Sequence, residues 1–113
     1  MRAQDIEVCV SADPQKGDAA RPVRTTGIAA NGVLIRPGTA DYYDASSPRG
    51  HSRDRSSGWN LDGIGAAETL GLDTQNAHVG PRGEYHYHGV PVALVTPDET
   101  SFIGWAADGF PIY

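Results

Sequence analysis

The segment Gly27-Ile-Ala-Ala-Asn-Gly-Val-Leu-Ile35 decides the expected fold, because its two apolar runs are separated by the turn dipeptide Asn31-Gly32. An Asn-Gly pair between apolar flanks is the strongest short-range indication of a β-hairpin. Fourteen glycines and eight prolines interrupt the 113 residues, which favours short strands over long helices. We therefore predict a small, mainly β protein with short strands and hairpins, Gly/Pro-rich loops and one or two short helices.

The sequence divides into an N-terminal part, residues 1–26, and a domain of residues 27–113. Residues 5–10 alternate polar and apolar side chains, so a strand is predicted there, followed by a loop of small and charged residues. Cys9 lies between two valines in that strand and is predicted to be a small, buried apolar residue. As the only cysteine, it cannot form an intrachain disulfide.

Three further segments carry local patterns. Residues 37–58 show no sustained periodicity and are predicted to form a long surface loop. Residues 61–70 predict one short helix, with Asp62 as its N-cap and Gly71 at its end. Residues 102–107 are strongly apolar and predict a buried strand that packs next to the strand carrying most of the histidines.

The overall charge restricts the classes of partner. Nine basic against fourteen acidic residues give a formal net charge of −5, which argues against nucleic acid or an anionic membrane surface as the main partner. No apolar run approaches the ~18 residues that a membrane-spanning helix needs. The sequence also lacks a Ser-His-Asp order, a phosphate-binding glycine loop and a dinucleotide fingerprint, so none of these mechanisms competes.

The histidines carry the main functional signal. His78, His86 and His88, three of the four histidines, lie within one short segment. In a strand, side chains alternate faces, so His86 and His88 point one way while Tyr85 and Tyr87 point the other. A Pro and a Gly upstream of this strand supply a turn that can return the third histidine. The pattern predicts a zinc or copper site, the alternative being a packed aromatic and polar strand without metal.

Five other residues are candidates for supporting this site, and each has a plain structural alternative. Glu84 shares strand parity with the two histidines, so it is a fourth ligand, a general base for a metal-bound water, or an exposed strand-edge carboxylate. The Asp and Asn candidates offer ligand atoms or histidine-orienting acceptors, but they are also common turn formers. The remaining histidine lies in the predicted loop and either folds over the site or stays in solvent. The five are Asp73, Asn76, Glu84, Asp108 and His51.

Several ordered motifs resemble those of one bacterial family. They are Gly58-Trp-Asn60, Asn76-Ala-His-Val79, Gly83-Glu-Tyr-His-Tyr-His-Gly89 and Ile103-Gly-Trp-Ala-Ala-Asp-Gly-Phe-Pro-Ile-Tyr113. Across residues 27–113 the chain is similar to the YHYH-domain family, named for its tetrapeptide. Because members are typically exported, the resemblance implies an extracellular or periplasmic protein, although this N-terminus carries no signal peptide. Members usually continue past the Gly-Phe-Pro-Ile-Tyr segment, so the domain is expected to be truncated at its C-terminal end.

The resemblance implies no established reaction, so function is argued from the histidines. The first interpretation is a metal-binding domain of an exported protein, in which a zinc or copper ion stabilises a small core. The alternative is a metal-dependent hydrolase, in which three protein ligands leave a position for a metal-activated water. Whether the protein is an enzyme stays open at this point, because it depends on an open coordination position beside a pocket. Besides the metal ion, a small-molecule or cell-surface ligand is an expected partner.

Overall fold

The structure, a computed structural model, describes all residues 1–113. Nine short strands in two sheets, one α-helix and one 3-10 turn confirm the mainly β prediction. The strands are β1 (Gly27–Ala29), β2 (Leu34–Ile35), β3 (Gly38–Tyr43), β4 (His51–Ser52), β5 (Asn60–Asp62), β6 (Ala77–Val79), β7 (Tyr85–Tyr87), β8 (Gly104–Ala106) and β9 (Pro111–Ile112). Helix α1 is Ala67–Leu70, and the 3-10 turn is Val92–Leu94. Neither helical segment has the length and apolar character needed to cross a bilayer.

The first sheet has six strands in the order β6-β7-β2-β1-β8-β9. Strands β1 and β2 form the predicted hairpin, with Gly27 opposite Ile35 and Gly32 in the left-handed region at φ 83°. The pairing of β2 with β7 is parallel, and the other pairings in this sheet are antiparallel. Asn31 in the turn donates from Nδ2 to the Tyr87 hydroxyl over 2.8 Å. The hairpin is thereby tied to the strand that carries two of the histidines.

A small core lies on the face of this sheet that carries the tyrosines. Ala29, Ala77 and Tyr87 are buried against one another. Partly buried apolar side chains complete this cluster, namely Val33, Ile35, Tyr85 and Leu94. The opposite face of β6 and β7 is therefore free to present polar side chains.

Strand pairing between residues 37 and 58 corrects the prediction of a long surface loop. Strand β3 lies there and forms a second sheet with β4 and β5, in the order β4-β3-β5. The side chain of Asn60 donates from Nδ2 to the carbonyls of Thr39 and Asp41, which secures β3 against β5. The strand contains no Val, Ile or Leu and none of its residues is buried, so no run of apolar core residues marks it in the sequence.

The N-terminal strand predicted over residues 5–10 is not formed, because the first strand is β1. No neighbouring strand pairs with residues 5–10, and the one backbone hydrogen bond of the preceding residues runs from Arg2 N to Gly83 O, in the turn before β7, at 2.9 Å. The alternating side chains consequently have no sheet to cover, and Ile6 remains exposed. Cys9 is also exposed, so the prediction that it is buried is wrong.

Two predicted elements are shorter or placed differently. The helix expected over residues 61–70 is reduced to α1, since two glycines precede it and lower helix propensity. Asp62 ends β5 instead of capping the helix, and its Oδ2 accepts from Gly65 N at 2.9 Å. Gly71 ends α1 as predicted, in the left-handed region at φ 64°.

The strand predicted within residues 102–107 exists as β8, but it does not pack next to β7. Strands β2 and β1 lie between them, because the hairpin inserts both of its strands. Trp105 at the centre of β8 is 44% exposed, so this strand is only partly buried.

Candidate metal centre

Three histidines are brought together on one face of the β6–β7 hairpin. His78 in β6 lies directly opposite His86 in the antiparallel register. His88 follows the last residue of β7 and shares parity with His86, as expected for side chains two residues apart on a strand. Its backbone N–H donates to the Asn76 carbonyl over 2.7 Å, which extends the pairing and holds it beside β6. The predicted turn therefore does return the upstream histidine to the pair.

The three imidazoles converge through their Nε2 atoms. The distance between Nε2 of His86 and of His88 is 3.1 Å, and that between His88 and His78 is 3.2 Å. The ligand atoms of the three residues all lie within 4.8 Å of one another. A tetrahedral ion with bonds of about 2.0–2.1 Å separates its nitrogens by about 3.3 Å, so the distances from His88 to the other two rings suit ligands of one ion.

The other ring nitrogen of each histidine faces a backbone carbonyl. Nδ1 of His78 lies 2.8 Å from the Leu70 carbonyl oxygen. Nδ1 of His86 lies 3.3 Å from the Glu84 carbonyl oxygen. Nδ1 of His88 lies 3.4 Å from the Pro37 carbonyl oxygen. A carbonyl only accepts, so these contacts favour the tautomer protonated at Nδ1 in all three rings. The lone pairs of all three Nε2 atoms then point at one another, an arrangement that a cation would stabilise.

Burial keeps two of these rings neutral. His86 and His88 are buried, with 7% and 4% of their surface exposed, whereas His78 is half-buried. Burial lowers the pKa of His86 to about 4, and it also lowers the pKa of His88. Neutral imidazole is the form that binds a metal ion, so the cluster is ready for ligation near neutral pH.

Sequence reasoning missed the groups that hold the rings. Leu70 and Pro37 act through backbone carbonyls, which no residue pattern reveals. Gly63 packs so closely on His88 that a side chain at position 63 would overlap the ring. Its backbone N–H donates to the Pro37 carbonyl over 2.8 Å, the same oxygen that faces His88 Nδ1. The only sequence signal at this glycine is the turn dipeptide that it forms with Asp62.

The tyrosines of β7 lie on the opposite face of the strand, toward the core. Tyr87 is buried in the core, and its ring meets that of Tyr85 edge-on with centroids 5.9 Å apart. The Tyr85 hydroxyl donates to Asp73 Oδ2 over 2.5 Å. Burial, together with this carboxylate, raises the pKa of Tyr85 to about 12, and the hydroxyl lowers the pKa of Asp73.

Asp73 and Asn76, the candidates that precede β6, make hydrogen bonds to the backbone. Asp73 Oδ1 accepts from the backbone N–H groups of Gln75 and Ala77, at 2.8 and 3.1 Å. Asn76 adopts a left-handed conformation at φ 58°, and its Nδ2 donates to the Val90 carbonyl over 2.8 Å. Both side chains are engaged in hydrogen bonds of their own, and neither belongs to the group of converging ligand atoms.

Glu84 lies on the histidine face, as its parity predicts, but it is buried instead of exposed at a strand edge. Its Oε1 pairs with Arg36 Nη1 at 3.1 Å, and its Oε2 has no hydrogen-bond partner. The pKa of Glu84 lies below its ordinary value, because its own backbone N–H and then the Arg36 guanidinium favour the charged carboxylate. The carboxylate adjoins the cluster without joining its ligand atoms.

The last two candidates lie away from the cluster. Asp108 is exposed in the turn between β8 and β9, where its Oδ1 faces Phe110 N at 3.5 Å. His51 in β4 belongs to the second sheet, and its Nδ1 lies 2.8 Å from Asp41 Oδ2. The fourth histidine is therefore paired with a carboxylate of the neighbouring strand.

Comparison with protein families matches most of the chain to one family. A family model described as YHYH protein matches residues 7–113. The chain belongs to the YHYH family. The YHYH tetrapeptide is Tyr85-His-Tyr-His88, whose histidines join the cluster while its tyrosines turn to the core. Comparison with curated proteins and with solved structures found no match.

Proposed function

We propose that this YHYH domain binds one transition metal ion, zinc or copper, through Nε2 of His78, His86 and His88. The observation that carries the proposal is that the two nitrogens of each ring have different surroundings. Nδ1 faces a backbone carbonyl, whereas Nε2 faces the histidine cluster. A backbone carbonyl behind the non-ligating nitrogen is the usual support of a metal-bound histidine. Without an ion, three lone pairs would face one another in a largely buried space.

The donor set narrows the choice of ion. Imidazole nitrogen suits zinc and copper, whereas magnesium and calcium prefer oxygen ligands. The group contains three nitrogens and neither a cysteine nor a carboxylate. We infer that the ion stabilises a core that is small for 113 residues, as expected for a structural metal site. The family resemblance supports an exported protein as the setting of this role.

Calorimetric titration of the metal-free chain with zinc and with copper tests the proposal, together with elemental analysis of protein purified without added metal. His78→Ala, His86→Ala and His88→Ala are each expected to weaken binding by more than the about 10–100-fold typical of a lost supporting residue. His51→Ala is the matched control and should bind like the wild type, because His51 lies in the second sheet. Unchanged metal content in both His86→Ala and His88→Ala would contradict the proposal.

Hydrolysis by a metal-activated water is the second candidate function. The observation in its favour is that the cluster offers only three ligand residues, which leaves one position of a four-coordinate ion for water. Assays of the zinc-loaded chain against ester, phosphoester and peptide panels test it. Turnover that is lost on chelation and in His88→Ala would place catalysis ahead of a purely structural or binding role.

A further inference from the structure

A cavity of about 430 Å³ lies between the second sheet and the segment that carries α1. Residues of β3, β4 and β5 supply one wall, and residues between 65 and 70 supply the other. The volume falls within the about 300–1,000 Å³ of small-molecule sites. None of the three histidines of the metal centre lines this cavity. It is therefore a separate candidate for binding a ligand.

Two opposite charges, of Asp41 and Arg53, line the cavity without pairing with each other. Tyr43 lies opposite His51 in the antiparallel register of β3 and β4, so Asp41 and Arg53, two residues further along each chain direction, come opposite each other. Opposed residues of antiparallel strands project from the same face of the sheet. Neither of the two ion pairs of the protein joins these two side chains, and Arg53 takes part in none. A ligand with charges of both signs can bridge them.

Asp41 and His51 together leave two hydrogen-bond acceptors open. His51 Nδ1 lies 2.8 Å from Asp41 Oδ2. A carboxylate only accepts, so Nδ1 carries the proton and Nε2 of the neutral ring is an acceptor. Asp41 Oδ1 and His51 Nε2 have no partner within the protein, and both are accessible to solvent, since the one buried side-chain atom without a partner belongs to Glu84. Two neighbouring acceptors suit an ammonium group, which carries three donors.

The rest of the lining is largely apolar. Leu61 and Leu70 supply its large side chains, and Ala40 and Ala66 supply small ones. A carboxylate and a guanidinium sum to no net charge, so the cavity favours neither a simple anion nor a simple cation. The matching ligand has one charge of each sign beside an apolar group.

We propose that this cavity binds a free amino acid with an aliphatic side chain. Its α-carboxylate pairs with Arg53, whose guanidinium offers two parallel N–H donors. Its α-ammonium group donates to Asp41 Oδ1 and His51 Nε2. Its side chain contacts Leu61 and Leu70. The inference requires no ion at the histidine cluster, so it stands apart from the proposed metal function.

Leucine and two analogues test the proposal by calorimetry and by amide chemical shifts of the full chain near neutral pH. Isocaproate is leucine without its ammonium group, and isoamylamine is leucine without its carboxylate. Leucine is expected to bind at least about fivefold tighter than either, because each analogue leaves one charge of the cavity unpaired. The shifts should change at Ala40, Gly65 and Ala66, which line the cavity. The titrations use metal-free protein, so that ligation of leucine to an ion cannot produce the preference.

Variants assign each charge of the ligand to its partner. In Arg53→Gln, at an exposed position, the preference for leucine over isoamylamine should fall to within about twofold, while that over isocaproate persists. Asp41→Asn, which keeps an oxygen for His51 Nδ1, should show the reverse. Arg49→Gln is the matched control and should bind leucine like the wild type, since Arg49 is equally exposed but does not line the cavity. The absence of saturable leucine binding, wild-type preferences in Arg53→Gln, or equal effects of Arg49→Gln and Arg53→Gln would each overturn the proposal.

Discussion

The ring of His88 fills the space that the side chain of any other residue at Gly63 would need. A Cβ atom at position 63 would lie 2.7 Å from His88 Cβ and 2.5 Å from Cγ. Both residues also use the Pro37 carbonyl, Gly63 through its backbone N–H and His88 through Nδ1. The segment between β5 and α1 therefore closes over the histidine cluster and fixes the orientation of one ring.

Gly63→Ala should lower the affinity for zinc or copper without removing any ligand. The added methyl group must displace either the His88 ring or the backbone that contacts Pro37. Loss of such support typically costs about 10–100-fold in metal affinity. Calorimetric titration measures the change.

Gly65→Ala is the matched control for this substitution. The nearest atoms to a Cβ at position 65 are oxygens of Asp62 at 3.7 Å, an ordinary van der Waals distance. Its metal affinity should equal that of the wild type. Equal affinities of Gly63→Ala and Gly65→Ala would show that the close packing on His88 does not orient the ring.

The fold was predictable where a signal is local. Asn31-Gly32 encodes the β1–β2 hairpin through a turn that requires a left-handed residue. The alternation of residues 5–10 predicted a strand wrongly, because strand formation also needs a partner that no local pattern reports. Strand β3 was missed for the opposite reason, since it has no buried residue and is held by pairing with β5.

The histidine group was likewise predictable only in part. Strand parity placed His86 and His88 on one face, and the turn before β7 returned His78 to them. The sequence could not show that Glu84 is buried beside Arg36, because that contact joins the residue before β7 to the residue after β2, two strands far apart in the chain that pair in parallel. Nor could it show the carbonyls behind His78 and His88, which belong to Leu70 at the end of α1 and to Pro37 after β2 and are brought to the rings by the tertiary structure.

The stability of the metal-free protein should fall as the pH drops from 6.5 to about 4.5. Burial lowers the pKa of His86 from 6.5 to about 4, so the unfolded chain takes up a proton that the folded chain does not. The contribution is complete above the unfolded pKa and is lost as the pH falls toward the folded one. His88, whose pKa is lowered by burial as well, adds to the same loss.

Urea denaturation at several pH values measures this dependence. His86→Gln should flatten the curve between pH 6.5 and 4.5. Carboxylates with lowered pKa values, such as Glu84, stabilise the fold above pH 4.5 and lose that contribution mainly as the pH falls below it. A wild-type slope in His86→Gln would contradict the burial of a neutral ring.

Tyr85→Phe should destabilise the fold while leaving metal affinity within about twofold of the wild type. The substitution removes the hydrogen bond to Asp73 on the core side of β7, worth about 1 kcal/mol at a partly exposed position. The pKa of Asp73 should rise toward its ordinary value of 3.8, because the hydroxyl is the main cause of its lowering. The difference in stability should therefore disappear as the pH falls and Asp73 is protonated.

Denaturation and NMR titration of the Asp73 carboxyl measure these two effects. Tyr43→Phe is the control, since the Tyr43 side chain is largely exposed in the second sheet and its hydroxyl makes no hydrogen bond within the protein. A large loss of metal affinity in Tyr85→Phe would mean that the two faces of the strand are coupled.

Because the backbone of Asn76 is left-handed, a glycine substitution there should be less destabilising than an alanine substitution, the reverse of the usual order. Asn76→Gly and Asn76→Ala both lose the side-chain hydrogen bond to the Val90 carbonyl, but only glycine accepts φ 58° without strain. Asn76→Ala should therefore be less stable than Asn76→Gly by about 1 kcal/mol in urea denaturation of the metal-free chain. At Thr74, two residues earlier and without a positive φ, the alanine variant should be the more stable of the pair. If the glycine and alanine variants had the same order of stability at both positions, Asn76 would not hold the left-handed conformation in which its carbonyl accepts a hydrogen bond from His88 N.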